Sequence, residues 1–427
     1  MQMSDREVVL TGFGIVSPIG IGKDACYESL HRGHSGVAPI QSFDASTSRC
    51  SIAAEIRDFE PKQYVRPRKS LKVMSRDIQL AFAASEMAIT DAGLSPEAGE
   101  PERKGVIFGT DLIYTDAESV SSAYRSCTEN NHFDFSLWGT RALENLYPLW
   151  LLKYLPNMSA CHIGIAQDAR GANNSITVGD TSSLIAVTEA AHAIERGTLD
   201  IAITGGTSSQ MNPTVFDFRG RGRFSKHQGD PVRACRPFDR DRDGTVHGEG
   251  AAAFILESRS HAEKRGADII ATVAGTASCF EPSKSHPAEE GSRLTGSAIR
   301  HSIEGAIRDA DVAIQEIDHV NAHGIALPHE DHLEATAIHS VLGDTPVIAP
   351  KSYFGNIGGG GGAVEMAISL LAFQEGILPI SLNYENPDPA CPVNVVHHEP
   401  RKVESRGAVL LNQGRDGQAV ALVLMAE

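Results

Sequence analysis

The sequence predicts a layered α/β protein built from two similar halves. Three observations carry this. Short apolar strand-like runs alternate with longer helical patterns, and that rhythm starts again after residue 258. The length, 427 residues, exceeds what one simple core fills. The halves are expected at 1–258, with an insertion at 110–160, and at 259–427. No low-complexity linker separates them, so a large shared interface is expected.

The elements follow in order. Glu7 to Val16 is a buried strand entering a Gly-containing turn. Lys23 to His31 is a short helix. Asp77 to Ala92 carries Leu80, Ala81, Ala83, Ala84, Met87 and Ala88 at helical spacing and stops at Gly93. Gly105 to Gly109 is a strand. Trp138, Leu149, Trp150 and Leu152 suggest a helical insertion near the surface or an interface. Ile201 to Gly206 and Gly250 to Leu256 are strands. In the second cycle Arg259 to Arg265 is a polar helix, Ile269 to Gly275 a strand and Gly291 to Ala310 a helix. His319 to Gly324 (strand), Asp331 to Leu342 (helix) and Val347 to Pro350 (strand) follow. Gly358 to Gly362 feeds a helix over Ala363 to Gln374, and Ala408 to Asn412 with Ala419 to Met425 forms a closing hairpin.

One stretch organises the rest. Residues 171–186 pass from a polar, Gly-rich start through the β-favouring run Ser175 to Val178 into a helix. That helix continues through Val187, Ala190, Ala191 and Ile194 to Arg196-Gly197 and is apolar on most faces, so it is expected to be buried. Asp180, Thr181 and Ser182 suit its first turn. Asp180 is open to two readings: an N-cap, or a side chain presented where exposed N–H groups favour an anion. A cysteine so placed would be a thiolate nucleophile.

The net charge of −16 argues against nucleic acid as a partner. Arg219, Arg221, Arg223, Lys226, Arg233 and Arg236 still form a basic cluster. It is read as a solvated loop pairing with Asp230, Asp239 and Asp241 in preference to a docking patch for an acidic carrier protein. Seven scattered cysteines without CxxC spacing fit a reducing compartment and weigh against zinc or disulfides. The start shows no secretory pattern and no apolar run reaches membrane-spanning length, so a cytoplasmic protein without membrane contact is expected. The five glycines lack a following Lys-Ser/Thr, and no GxGxxG with a ribose-binding acid is present. Close backbone packing is therefore preferred to phosphate binding. His329-Glu330-Asp331-His332 begins a helix, where acids suit the first turn; no metal and no cofactor are expected.

Several motifs together resemble one family. Val9-Leu10-Thr11-Gly12-Phe13-Gly14-Ile15-Val16-Ser17-Pro18 resembles the opening strand of β-ketoacyl-acyl-carrier-protein synthases, the elongating branch of the thiolase-like condensing enzymes. Arg236-Pro237-Phe238-Asp239-Arg240-Asp241-Arg242-Asp243-Gly244 with Gly248-Glu249-Gly250-Ala251 is similar to their most specific signature. Asn321-Ala322-His323-Gly324, Lys351-Ser352 and Leu382 to Pro389 resemble their histidine, lysine and C-terminal segments. The resemblance spans nearly the whole chain. It implies the five-layer αβαβα thiolase-like fold, a dimer, and decarboxylative Claisen condensation through a cysteine thioester, with two histidines, or a histidine and an asparagine, binding the malonyl carbonyl.

Carried over by position, His323 matches the first histidine, Asn356 stands at the second, and Lys351 with Glu334 matches the supporting pair. Asp180 stands where the cysteine belongs. Ile325 and Leu327 replace the threonines that hold pantetheine, and Arg415 stands at a gating phenylalanine. An aspartate acyl anhydride is higher in energy than a thioester, and a carboxylate is a much weaker nucleophile than a thiolate. The helix terminus is expected to keep Asp180 ionised, with a low pKa. The preferred expectation is a non-condensing homologue, like the chain-length factors of polyketide systems. It would partner an active ketosynthase or itself, with acyl carrier protein as a further candidate partner. Malonyl-carrier decarboxylation by His323 and Asn356, full condensing activity, and Asp180 as a general base remain as alternatives.

Overall fold

The computed structural model describes residues 7–95, 98–282, 294–403 and 407–427. Five strands of the first half are β1 (Val8–Ser17), β2 (Lys104–Thr110), β3 (Asn173–Ile176), β4 (Ile201–Ser209) and β5 (Glu249–Ser258). They lie in the order β3-β2-β4-β5-β1. β1–β5 and β5–β4 are antiparallel, while β4–β2 and β2–β3 are parallel.

The second half repeats this pattern. Its strands are β6 (Ala271–Phe280), β7 (Ile317–Asn321), β8 (Pro346–Ile348), β9 (Gly407–Gln413) and β10 (Gln418–Ala426), in the order β8-β7-β9-β10-β6. β6–β10 and β10–β9 are antiparallel, and β9–β7 and β7–β8 parallel. Same order and same directions are the internal repeat that the sequence rhythm suggested. The sheets meet edge to edge where Val9 and Leu10 pair with Thr272 and Ala271.

Helices complete five layers. α1 (Arg76–Asp91) and α2 (Met158–Ala166) cover the outer face of the first sheet. α3 (Ser182–Glu195) and α6 (Gly361–Glu375) pack on each other between the sheets. α4 (Ser297–Ala310) and α5 (Pro328–Leu342) cover the outer face of the second. The expected start of the α4 helix, residues 291–293, lies outside the described residues.

The core divides accordingly. One apolar cluster sits between the sheets, with Leu184, Val187, Ile194, Val364, Ile368 and Leu371 among its members, and one lies under each outer helix layer. Each fully buried Leu, Ile or Val contributes roughly 1.5–3 kcal/mol. This fits helices apolar all round, which require burial on every face.

The glycine run is where α6 meets the strand ends. A Cβ on Gly360 would lie 2.8 Å from the Ser208 backbone nitrogen, and one on Gly362 would lie 2.0 Å from the Asn412 Oδ1 and 2.8 Å from Leu184. Close packing is thus the role of these residues. The 110–160 segment forms short helical turns and the helix Ala117–Ser126, and it leaves Phe135, Tyr124, Leu149 and Leu151 exposed. Among the described residues no helix is long and apolar enough to cross a membrane.

Candidate active site

Asp180 stands in the turn Gly179–Thr181 that precedes α3. It is not the cap. Thr181 holds that position without a side-chain cap bond, while Ser182 Oγ accepts from Val178 N at 2.9 Å and donates to Gly179 O at 2.6 Å. The Asp180 carboxylate turns instead into a cavity of about 270 Å³. There the Asn356 amide nitrogen lies 3.5 Å from Asp180 Oδ1. Gly358 N donates to Asn356 Oδ1 at 3.0 Å, which fixes which end of the amide faces Asp180. Burial and the nearby Asp111 push the Asp180 carboxyl above its usual range, against Arg223, Lys351 and Arg219. This reverses the low pKa expected from the helix terminus: loss of water outweighs the few exposed N–H groups.

His323 follows β7 and is 1% exposed. Lys351 Nζ approaches its Nδ1 at 3.1 Å and Asn412 Nδ2 at 3.4 Å. Two donors on Nδ1 make that nitrogen the acceptor, so Nε2 carries the hydrogen. Burial, Lys351 and Arg223 hold the ring well below its usual pKa, and it is neutral. His323 and Asp180 share a second, smaller recess with Ile325 and Arg415. Ile325 is 1% exposed, so that wall is apolar where the resemblance led one to look for a hydroxyl.

The supporting pair differs from expectation. Lys351 is ion-paired with Glu365 on α6, and donates to His323 O at 2.8 Å. Glu334 does not pair with the lysine. It accepts the backbone N–H of His323 at 2.6 Å and of Gly324 at 2.9 Å. Asp331, expected only to complement the helix terminus, accepts from Ile325 N at 3.0 Å and Phe238 N at 2.8 Å. One helix face therefore clamps the loop that carries His323. Asn412 Nδ2 also donates to Glu365 Oε2 at 2.7 Å. A lone charge in the otherwise uncharged run Gly361–Ala372 was the available signal for Glu365, since a buried charge needs a partner.

The basic cluster is only partly a solvated loop. Arg233 and Arg236 pair with Glu385, and Arg236 with Asp239. Arg219 and Arg223 instead turn into the Asp180 cavity. Arg219 pairs with Asp111 at 2.8 Å and Arg223 with Glu330 at 3.3 Å. Asp111 also accepts from Ser208 Oγ and Gly359 N, each at 2.8 Å. Arg415 lies exposed at the tip of the β9–β10 hairpin and borders both recesses. The site residues singled out from the sequence thus fall in one neighbourhood, though Glu334 acts through the backbone.

Residues 5–262 match the family model for the beta-ketoacyl synthase N-terminal domain, and residues 270–385 that for its C-terminal domain. The chain belongs to the beta-ketoacyl synthase family. It is 33% identical to a 3-oxoacyl-[acyl-carrier-protein] synthase 2 of Coxiella burnetii, over 99% of each chain. It is 32% identical to the oxytetracycline polyketide putative beta-ketoacyl synthase 1 of Streptomyces rimosus, over 98% of this chain and 97% of the other. Among solved structures, the ishigamide ketosynthase/chain length factor matches with a TM-score of 0.85 at 29% identity, covering 99% of this chain and 100% of that one. A beta-ketoacyl synthase from Burkholderia phymatum matches with a TM-score of 0.86 at 25% identity, covering 99% of both chains. The family has the thiolase-like fold, and the repeated sheets and five layers are that fold.

Proposed function

We propose that this chain is a non-condensing member of the family that works beside an active, cysteine-bearing ketosynthase in fatty-acid or polyketide biosynthesis. One observation carries the reading: Asp180, hydrogen-bonded to Asn356, occupies the start of the central helix, where the resemblance places an acyl-accepting sulfur. None of the described residues lining the cavity is a cysteine. Cys235, whose thiol donates to Lys351 O at 3.0 Å, is buried, and burial pushes it up to about 12. Such a thiol is protonated and unreactive. The structural relative that pairs a ketosynthase with a chain length factor supports the partnership. The solved complex of a ketosynthase with its acyl-carrier protein, 25% identical, supports contact with a carrier. The repeated sheets support two halves joined near residue 258, and a cytoplasmic setting fits this role. The test is co-expression with a cysteine-bearing relative. A stable complex that raises the partner's product yield or sets its chain length supports the reading; a chain that elongates acyl carriers alone overturns it.

The geometry also favours a second activity, malonyl-carrier decarboxylation. A neutral His323 with hydrogen on Nε2 and an Asn356 amide supply two donors for a thioester oxygen. The C–C bond to the carboxylate breaks, carbon dioxide leaves, and the electron pair forms an enolate that water protonates to acetyl. No acyl-enzyme is required. Mass spectrometry for acetyl-carrier tests it, and no product above a protein-free blank would remove it.

A further inference from the structure

The structure removes the reason against Asp180 as a general base. Loss of water and the nearby Asp111 raise its carboxyl above the usual carboxylate range, which makes it a stronger base than its place before a helix implies. It is also uncommitted. The buried carboxylates around it are held: Asp111 by Arg219, Ser208 and Gly359, Glu334 by two backbone N–H groups, and Glu365 by Lys351 and Asn412. Among the described residues Asp180 has one donor, the Asn356 amide at 3.5 Å, the outer limit of a hydrogen bond. Its carboxylate borders a cavity of about 270 Å³, many times the ~15 Å³ that one water needs. The groups beside it suit a thioester. His323 carries its hydrogen on Nε2 and lines the recess it shares with Asp180, and Asn356 Nδ2 supplies a second donor. An acyl oxygen bound about 3 Å from that amide nitrogen places the acyl carbon about 1.2 Å beyond. A water about 3 Å from this carbon and hydrogen-bonded to Asp180 is in position to attack it.

We propose that the chain hydrolyses neutral acyl thioesters, with Asp180 as the general base that activates water. The inference goes beyond the non-condensing reading and rests on one part of it, that carrier-bound acyl groups enter this site. Asp180 takes a proton from water as the water oxygen bonds to the acyl carbon. The carbonyl π pair moves onto oxygen, where the N–H groups of His323 and Asn356 hold it. When that pair returns, the carbon–sulfur bond breaks, and the thiolate leaves with the proton from Asp180. The products are a free acid and the carrier thiol, and water is the one other reactant. A cysteine at position 180 would keep the acyl group, whereas an aspartate passes it to water.

The test follows thiol release from butyryl-pantetheine by the full chain. Release above a protein-free blank is expected. It should fall about a hundredfold in Asp180→Asn, which keeps the shape and loses the base, and recover in part in Asp180→Glu. Asn356→Leu, which removes a donor to the oxyanion, should cost about as much. Thermal melting of each variant controls for folding; should Asn356→Leu fail to fold, Asp180→Asn decides. In water enriched in oxygen-18, butyrate should gain a labelled oxygen while the peptide that carries Asp180 gains none. Label in that peptide would make Asp180 a nucleophile and overturn the inference. No release above the blank, or release undiminished in Asp180→Asn, overturns it too and leaves the non-condensing reading intact, since co-purification with a ketosynthase judges that reading separately.

Discussion

The Asn356 amide nitrogen faces Asp180 Oδ1 at 3.5 Å, and the Gly358 N–H holds the other end of that amide. Residue 180 is therefore met by a donor suited to an oxygen anion, in a pocket that disfavours charge. Placing sulfur at this point tests what else the site would need for condensation. The Asp180→Cys thiol should be alkylated by iodoacetamide within minutes, while Cys26 and Cys235, both pushed up to about 12 by burial, stay unlabelled. Mass spectrometry should still find no elongated acyl carrier, because Ile325 and Arg219 remain. Elongation at the rate of an active synthase would show that the nucleophile alone separates this chain from its condensing relatives.

The Lys351–Glu365 pair is buried on both sides. Lys351→Met should cost about 3–5 kcal/mol by leaving a carboxylate without its cation. Adding Glu365→Gln should recover at least half of that loss. Urea unfolding at pH 7 measures both, and a single variant as stable as wild type would refute the pairing.

Glu257 supplies a pH dependence. Burial alone would raise its carboxyl, but hydrogen bonds from Arg265, His261 and Thr11 override this and bring it from 4.5 to about 2. A pKa depressed in the folded state contributes stability that is complete above 4.5 and lost as pH falls through about 2, here about 3 kcal/mol. Glu257→Gln should therefore be destabilised relative to wild type at pH 7, with the gap closing between pH 4.5 and 2. A gap that stays constant on acidification would contradict this.

Gly362→Ala should destabilise by about 1–3 kcal/mol through overpacking. Its Cβ would meet Asn412, the residue that also touches His323 and Glu365, so weaker malonyl-thioester binding should accompany the lower melting temperature. A neutral result would mean that α6 can shift away from β9.

Much of the fold was legible because period and punctuation agree: β1, α1, α3 and the closing hairpin all lie close to where apolar spacing put them. Asp180, His323, Asn356 and Lys351 were found because they sit at motif positions. What was missed depends on direction rather than identity. Arg219 and Arg223 look like a solvated cluster in one dimension, and nothing local says that the helix Pro213–Gly220 and the turn after it face them inward. Glu334 is adjacent to the right answer, but pairing with Lys351 is decided by which helix crosses behind it.

The two sheets are joined through backbone at Val9–Thr272 and Leu10–Ala271, and elsewhere the seam between them is filled by side chains, those of α3 and α6 among them. Neither repeat can be shed without showing water a helix that is oily on every side. An aspartate in place of a cysteine at the start of α3 relaxes no demand on that helix. Its neighbours in the seam must still interlock, which is why a chain with no acyl-accepting cysteine would retain the entire architecture of those that have one.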